Sequence, residues 1–510
     1  MKFSSFLSCA ILCCVVFDQA AGQGYGTPLI FQGLNHTAIH STAARGSAGI
    51  SYGFTNDVSL LFTDPASLTS IQNIQLSIGG LQQSRYTKQD QHYGGLQGFS
   101  AFTPLVESTT DLLADTILTY NNGQLGTLVD QTDSVQRPFD TISPNWSRSK
   151  AKAMPVQAMV AIPLSLGDVK IVAGVGAVEY ANLNWYYGNN NCFSPSVLSV
   201  LNGTISTQGL NTNPYIAQWY QSYQKRDGSI YGYGGAVSLA LSDKLSFGLS
   251  GMLLKGSTDD LEARVGRGRF VFFANSLRID RPGVTNYTRT GTSDFSGSEF
   301  TLGLRFTGKY LTGGFSLTPP ATITRKFNAT ISTDSVAATH YALSRYDSIV
   351  VSSTSTASGE DKIALPWRGT IGFALTIKEN LTLGMEYEVR SYASAEYTDV
   401  NGTVSTPWLS SSMFHLGGEY RAASWLSLRA GVTNYMEVYE PLSNAIRGDP
   451  VSYPVYSLGC GLSLMGARID LAYEYSDMKF VDTWSNAASI TREITNNLVI
   501  SIAYEIPWTE

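Results

Sequence analysis

Between Trp367 and Tyr439 the chain alternates apolar and polar residues in four segments. Ile371, Phe373, Leu375 and Ile377 are interleaved with Thr370, Gly372, Ala374 and Thr376. Leu381, Leu383, Met385, Tyr387 and Val389 are interleaved with Thr382, Gly384, Glu386, Glu388 and Arg390. Phe414, Leu416, Gly418 and Tyr420 oppose His415, Gly417, Glu419 and Arg421, and Leu426, Leu428, Ala430 and Val432 oppose Ser427, Arg429, Gly431 and Thr433. Successive side chains of a strand point to opposite faces, so this period of two predicts β-strands with one greasy and one polar face. Short turns at Lys378-Glu379-Asn380 and Ala422-Ala423-Ser424 join them in pairs, and a longer loop around Asn401-Gly402 separates the pairs.

Alternation alone fits two architectures. In a soluble sandwich the greasy faces of two sheets meet and the polar faces look at water. In an outer-membrane barrel the greasy face meets lipid and the polar face lines the lumen. Segments of about ten residues suit a tilted strand that crosses the hydrocarbon. The rhythm of tight turns and long loops is that of a barrel with short periplasmic connections.

The pattern recurs along the chain. It predicts strands over Asn73–Gln83, through Val156–Ile162, and over Val169–Asn182, Ile230–Leu241, Leu245–Leu254, Glu299–Phe306 and Leu311–Leu317. After the four strands above come Tyr456–Leu464, Arg468–Tyr475 and Asn497–Ile506. The sum is an all-β, 14-stranded antiparallel transmembrane barrel, an even count as bacterial barrels have. Every second connection is long, at 84–152, 183–229, 257–294, 320–362, 399–410, 439–453 and 479–492, which places all of them on one side of the membrane. Within the first, Ser108–Tyr120 opens on Ser/Thr/Asp and stops at Asn121-Asn122-Gly123, which predicts a short helix.

Composition agrees. Charged residues are 15%, against roughly 25% in ordinary globular chains, while 48 Gly and 28 Tyr suit a lipid-facing sheet with aromatic girdles. A net charge of −6 without any Lys/Arg run argues against a nucleic-acid partner. Met1–Gly22 reads as a signal peptide: Lys2, an apolar run from Phe6 to Phe17, then Ala20-Ala21-Gly22. Beyond it only Cys192 and Cys460 remain, so the expectation is no disulfide framework, metal site or cofactor. No later apolar run reaches the ~18 residues of a membrane helix, and a chain without one spans a membrane only as a closed barrel. There is no His-Glu-x-x-His and no Gly-x-Ser-x-Gly, and the one strand histidine, His415, has inward parity; the chain reads as a non-enzyme.

Residues 23–72 do not alternate. They carry Ala43-Ala44-Arg45-Gly46-Ser47-Ala48-Gly49, then Asp57-Val58-Ser59-Leu60-Leu61 and Asp64-Pro65-Ala66-Ser67-Leu68. This run resembles the N-terminal hatch of the FadL-like outer-membrane transporters of long-chain fatty acids and other hydrophobic compounds. In that family an acidic-Ser-aliphatic stretch ends in Asn-Pro-Ala-Gly-Leu; here Asp64 stands for Asn and Ser67 for Gly. Late strands resemble the family too, at Leu428-Arg429-Ala430-Gly431-Val432 and Ile469-Asp470-Leu471-Ala472-Tyr473. The resemblance implies a signal peptide at 1–22, a hatch at 23–72 inside the lumen with Asp64, Pro65 and Ala66 as its motif, and a barrel at 73–510 in the bacterial outer membrane. It also implies an inward kink in strand three that opens a lateral gap, marked by Gly174 and Gly176. From the residues alone, a plain strand covered by the hatch remains an equal reading, because both faces of Ile171–Val178 are apolar or small.

Parity places Arg305, Glu386, Glu388, Arg390, Glu419, Arg421, Arg429, Asp470, Glu474 and Glu505 inside. A guanidinium grips a carboxylate with two hydrogen bonds, so Arg45, Arg305, Arg390, Arg421 and Arg429 are candidates for a ligand carboxylate. The competing reading is a ladder of paired charges that fills the lumen. The functional expectation is passive uptake of a hydrophobic small molecule, a long-chain fatty acid by resemblance, through a barrel embedded in outer-membrane lipid. The alternative is a barrel that serves as shuttle or anchor for secreted surface proteins.

Overall fold

A computed structural model describes residues 31–507, except 32, 37–40, 55–56, 92–116, 122–123, 129–141, 144, 168, 196–204, 207, 275, 281–285, 343–344, 439–449 and 485–486. The signal segment and residues 108–116 of the expected helix lie outside the described residues. Residues 117–120, which that helix would include, belong instead to the strand Ile117–Asn121.

Fourteen strands form the wall. They are β1 (Ile74–Gln91), β2 (Trp146–Leu166), β3 (Val169–Asn182), β4 (Tyr215–Ala240), β5 (Leu245–Phe272), β6 (Asn286–Thr307) and β7 (Leu311–Thr318). They continue as β8 (Arg368–Lys378), β9 (Leu381–Arg390), β10 (Ser411–Ala423), β11 (Leu426–Met436), β12 (Ser452–Leu464), β13 (Ala467–Trp484) and β14 (Ala487–Ile506). Each pairs antiparallel with its neighbours, and β1 closes on β14 from Ile74↔Ile506 to Gln91↔Ser489. Closure gives every wall strand a neighbour on each side, as a lipid-embedded backbone requires, and among the described residues only the outer part of β2 departs from it.

The apolar parity faces outward. Ile371, Phe373 and Leu375 of β8, Leu383 and Met385 of β9, Phe414 and Leu416 of β10 and Ile500 and Ile502 of β14 are all exposed. The alternate positions Ala374, Glu386, His415, Glu419 and Ser501 are buried. A soluble fold hides its large apolar side chains, so a continuous belt of exposed ones marks contact with lipid. Barrels of this kind are outer-membrane proteins.

Several elements run longer than alternation alone predicts. β5 continues from Leu254 to Phe272 and β6 begins at Asn286, because strands that rise above the hydrocarbon no longer need a greasy outer face and lose the alternation. Most of the stretch expected as a loop at 320–362 is a hairpin of Ala321–Ala342 and Arg345–Leu365. Its first strand pairs with β6 from Gly297↔Ile323 to Asn286↔Asp334, so the barrel wall continues outward into this hairpin. The expected loop 479–492 is likewise ladder, with Trp484 opposite Ala487.

Candidate functional site

Residues 41–54 and 57–71 lie against the inward face of the wall. Ser41 caps the short helix Thr42–Gly46, accepting the Ala44 N–H at 3.0 Å, which satisfies a donor the helix start leaves free. The helix touches β12 and β13, and the 3-10 turn Pro65–Ser70 touches β4, β5 and β6. Wall glycines make this approach possible. A Cβ on Gly459 of β12 would stand 2.7 Å from the Gly46 Cα, and one on Gly431 of β11 would stand 2.7 Å from the Ala48 Cβ. Gly314 of β7 and Gly372 of β8 leave room for the Tyr52 ring, and Gly248 and Gly303 leave room for Pro65 and Ala66.

Polar contacts tie the segment to the wall at several points. Asp64 pairs with Arg305 at 3.3 Å, both buried. Arg45 pairs with Glu474 at 3.2 Å, and Asp57 pairs with Arg468. The Ser51 N–H donates to Glu386 at 2.9 Å, and His415 Nδ1 and Thr433 Oγ1 both donate to the Ala48 carbonyl, at 2.6 and 2.8 Å. The Ala66 carbonyl accepts from Ser246 at 2.9 Å and from Ser238 at 3.3 Å, so the motif residues Asp64, Pro65 and Ala66 all press on the wall. Charge-assisted bonds of this kind, out of water, are the strong ones.

The five candidate arginines have different fates. Arg429 bridges Glu419 at 2.8 Å and Asp470 at 2.7 Å, inside the wall. Arg305 is held by Asp64, and Arg390 by Glu388 at 2.6 Å and by the Asn35 carbonyl at 2.7 Å. Arg421 sits at the rim beside the turn that joins β10 to β11, its side chain 63% exposed. Arg45 and Arg390 line a lumen cavity of about 190 Å³, together with His415, Tyr435 and Tyr453 on one side and Glu179, Tyr180 and Asn182 of β3 on the other. Asp64 and Asp470 lie 241 and 41 residues from the arginines they hold, Arg305 and Arg429, and only the fold joins them.

The cavity reaches a break in the wall. β3 pairs with β2 only from Leu166↔Val169 to Gln157↔Val178. Gly174 and Gly176 lie within that stretch and are also paired with Ala236 and Gly234 of β4, so the ladder is whole on both sides of them. The irregularity falls just beyond, where the register against β4 shifts between Glu179 and Ala181 and Tyr180 becomes fully buried. Among the described residues, β2 from Trp146 to Val156 has no strand on its β3 side. Side chains span the interval instead: Arg148 lies 3.9 Å over the Tyr186 ring, Trp146 Nε1 donates to the Gly188 carbonyl at 3.0 Å, and Lys150 pairs with Asp227. Gln83 and Arg85 line both the lumen cavity and a smaller cleft at this seam. Sequence reasoning missed the seam cations. Their signal was present in Trp146-Ser147-Arg148-Ser149-Lys150-Ala151-Lys152, which alternates long inward residues with small outward ones.

Above the cavity the lumen is packed with apolar side chains. Phe31 and Leu34 are buried in one cluster with Tyr180, Phe295, Tyr392 and Trp408. The Phe31 ring meets Phe295 at 6.3 Å and Tyr397 at 5.8 Å, both edge-on as the ring quadrupole favours.

Solved structures share this architecture. A FadL homologue from Pseudomonas aeruginosa aligns at 12% identity over 91% of this chain and 98% of its own, with a TM-score of 0.55. The toluene transporter TodX of P. putida aligns at 13% identity over 92% and 99%, with a TM-score of 0.51. A TodX monoaromatic hydrocarbon channel mutant aligns at 12% identity over 93% and 100%, with a TM-score of 0.53. No family profile and no curated relative matches the chain. Its fold is that of the FadL-like outer-membrane channels.

Proposed function

We propose that this protein is an outer-membrane channel for passive uptake of hydrophobic small molecules, with long-chain fatty acids as its cargo. The observation that carries the reading is the continuity of the lumen cavity with the interrupted β2–β3 ladder, because a greasy molecule gains by leaving a wet lumen sideways into lipid. Residues 41–71 act as the hatch that closes the axial path, which the ring of wall glycines and the Asp64–Arg305 pair support. Arg45 and Arg390 are our candidates for meeting a ligand carboxylate, a reading supported by their place in the lining of that cavity. The structural neighbours named for toluene and monoaromatic hydrocarbons make a smaller aromatic cargo the competing choice within the same channel reading.

Lipid extraction and mass spectrometry of the detergent-purified protein test this. Long-chain fatty acid at near-equimolar level supports the reading. A stoichiometric protein partner with no bound lipid would favour the shuttle or anchor alternative. Uptake by vesicles carrying the protein then separates the cargoes: oleate should enter faster than toluene, and the reverse order overturns the fatty-acid assignment.

A further inference from the structure

The outer face of the wall carries a row of like charges. Lys88 of β1 stands directly opposite Arg492 of β14, and Arg492 stands directly opposite Lys479 of β13. All three share the outward parity of Leu498, Ile500 and Ile502 of β14 and Ile78 of β1, and all three are half-exposed. Neighbouring strands lie about 4.8 Å apart, so three cations fall within about 10 Å. Like charges directly opposite each other destabilise a sheet. The outer face avoids this elsewhere: Lys326 stands opposite Asp294 on one side and Glu360 on the other.

Two carboxylates answer the row only in part. Asp477 accepts from Arg492 at 2.8 and 2.7 Å and lies 3.6 Å from Lys479, too far for a hydrogen bond. Asp90 holds Lys88 at 2.7 Å. The three cations therefore outnumber their carboxylates, and most of their N–H donors are unspent among the described residues. The height of the row matters as much as its charge. Tyr504 is exposed on the same face near the short-turn end of β14, twelve residues from Arg492. At about 3.4 Å per residue and a tilt of about 35–45°, those residues climb about 29–33 Å. The apolar band of such a barrel is about 25 Å tall. The row thus stands just above the hydrocarbon on the long-loop side, past Tyr473, whose hydroxyl donates to Asn496 at 2.7 Å.

We propose that Lys88, Arg492 and Lys479 form a binding site for the phosphate of an anionic lipid in the outer leaflet. The phosphate oxygens bridge cations one strand apart and relieve their repulsion through charge-assisted hydrogen bonds. The acyl chains of the same lipid lie on Leu498, Ile500 and Ile502 directly below. Level and charge together select a lipid headgroup, because that is where anionic phosphate meets the end of the greasy belt. The inference rests on the place of the wall in the membrane and is independent of the cargo, since the row faces away from the lumen.

The test uses the full-length protein in a neutral detergent, with diphosphoryl lipid A as the probe and intact-protein mass spectrometry as the readout. Retention of the lipid after gel filtration is expected. The triple variant Lys88→Gln/Lys479→Gln/Arg492→Gln should retain at least about tenfold less. Lys88→Arg/Lys479→Arg keeps the charges and should retain as the parent does. Lys326→Gln, in the row where signs alternate, should also match the parent. No retention by the parent overturns the proposal, as does equal retention by the triple variant. An equal loss in Lys326→Gln would mean that only the general field attracts the lipid, and a loss in the double Arg variant would mean that charge is not what is read; either overturns it. Equal retention of phosphatidylcholine would show that acyl chains alone suffice, and displacement by about 1 mM inorganic phosphate would give the row to the free ion; both overturn the lipid site.

Discussion

The wall from β8 to β11 and the wall from β2 to β3 use the same two-residue alternation, yet only the first keeps its ladder. In β8–β11 the inward Glu386, Glu388, Arg390, Glu419 and Arg429 are held by wall side chains or by the N-terminal segment, and the outward positions from Ile371 to Val432 are greasy or small. In β2 the outward residues above Val156 shrink to Ala153, Ala151, Ser149 and Ser147, while the inward ones become Lys152, Lys150, Arg148 and Trp146. A strand without a greasy outer face is not held against hydrocarbon, and long cations can reach across a gap that backbone would otherwise fill. Regular wall resists lipid; the irregular wall is where a route through it can form.

The sharpest way to break this contrast is inside the regular wall. Arg429→Met should cost about 3–4 kcal/mol of unfolding stability, because it removes the guanidinium that joins the buried carboxylates Glu419 and Asp470 and leaves them only Arg421 and Arg468. Urea titration of the protein in detergent micelles measures it. A loss under about 1 kcal/mol would mean that water already reaches the triad. Next in size, Leu416→Arg puts a cation on the lipid face of β10 and should cost about 2–4 kcal/mol near mid-membrane. Wild-type stability there would remove the lipid from that face, and with it the membrane reading of the alternation.

A pair of glycine substitutions sharpens the comparison further. In Gly459→Ala the new methyl would lie 2.7 Å from the Gly46 Cα, and overpacking of that kind costs about 1–3 kcal/mol. Its readout is faster proteolysis of residues 41–71, since that segment must give way. Gly80→Ala, on β1 beside β2, meets only the Met154 carbonyl at 3.5 Å and should leave the same cleavage rate unchanged. Equal rates for the two variants would deny that the glycine ring seats the segment.

All fourteen wall strands were legible because lipid imposes one rule on each of them: greasy outside, anything small or polar inside. Legibility stopped where that rule stopped. Thr258-Asp259-Asp260-Leu261-Glu262-Ala263-Arg264 carries no greasy face, so the outer half of β5 reads as loop although it is ladder. The Ser/Thr-rich hairpin failed for the same reason. Within the lumen, parity placed Arg305, Arg390 and Arg429 on the inward face but could not show that Asp64, Glu419 and Asp470 hold Arg305 and Arg429, because the course of the N-terminal segment and the strand register fix those partners. The inward glycines were read as neutral members of the polar face, while spatially they mark where the N-terminal segment comes to rest.

The smallest expected stability effect belongs to the seam, and it separates the two walls most cleanly. Arg148→Ala removes the guanidinium over the Tyr186 ring, an interaction of about 0.5–1 kcal/mol at a partly exposed site. Urea unfolding should therefore barely move, in contrast to Arg429→Met. If Arg148 helps to bar the gap between β2 and the Trp185–Ser194 strand, uptake of a fluorescent fatty acid into protein-bearing vesicles should rise. Arg148→Lys keeps the charge but lacks the flat guanidinium, so it should fall between the two. Faster uptake with unchanged stability ties transport to the irregular wall. Unchanged uptake in both variants would mean that cargo does not pass this seam, and the axial path under residues 41–71 would then have to carry it.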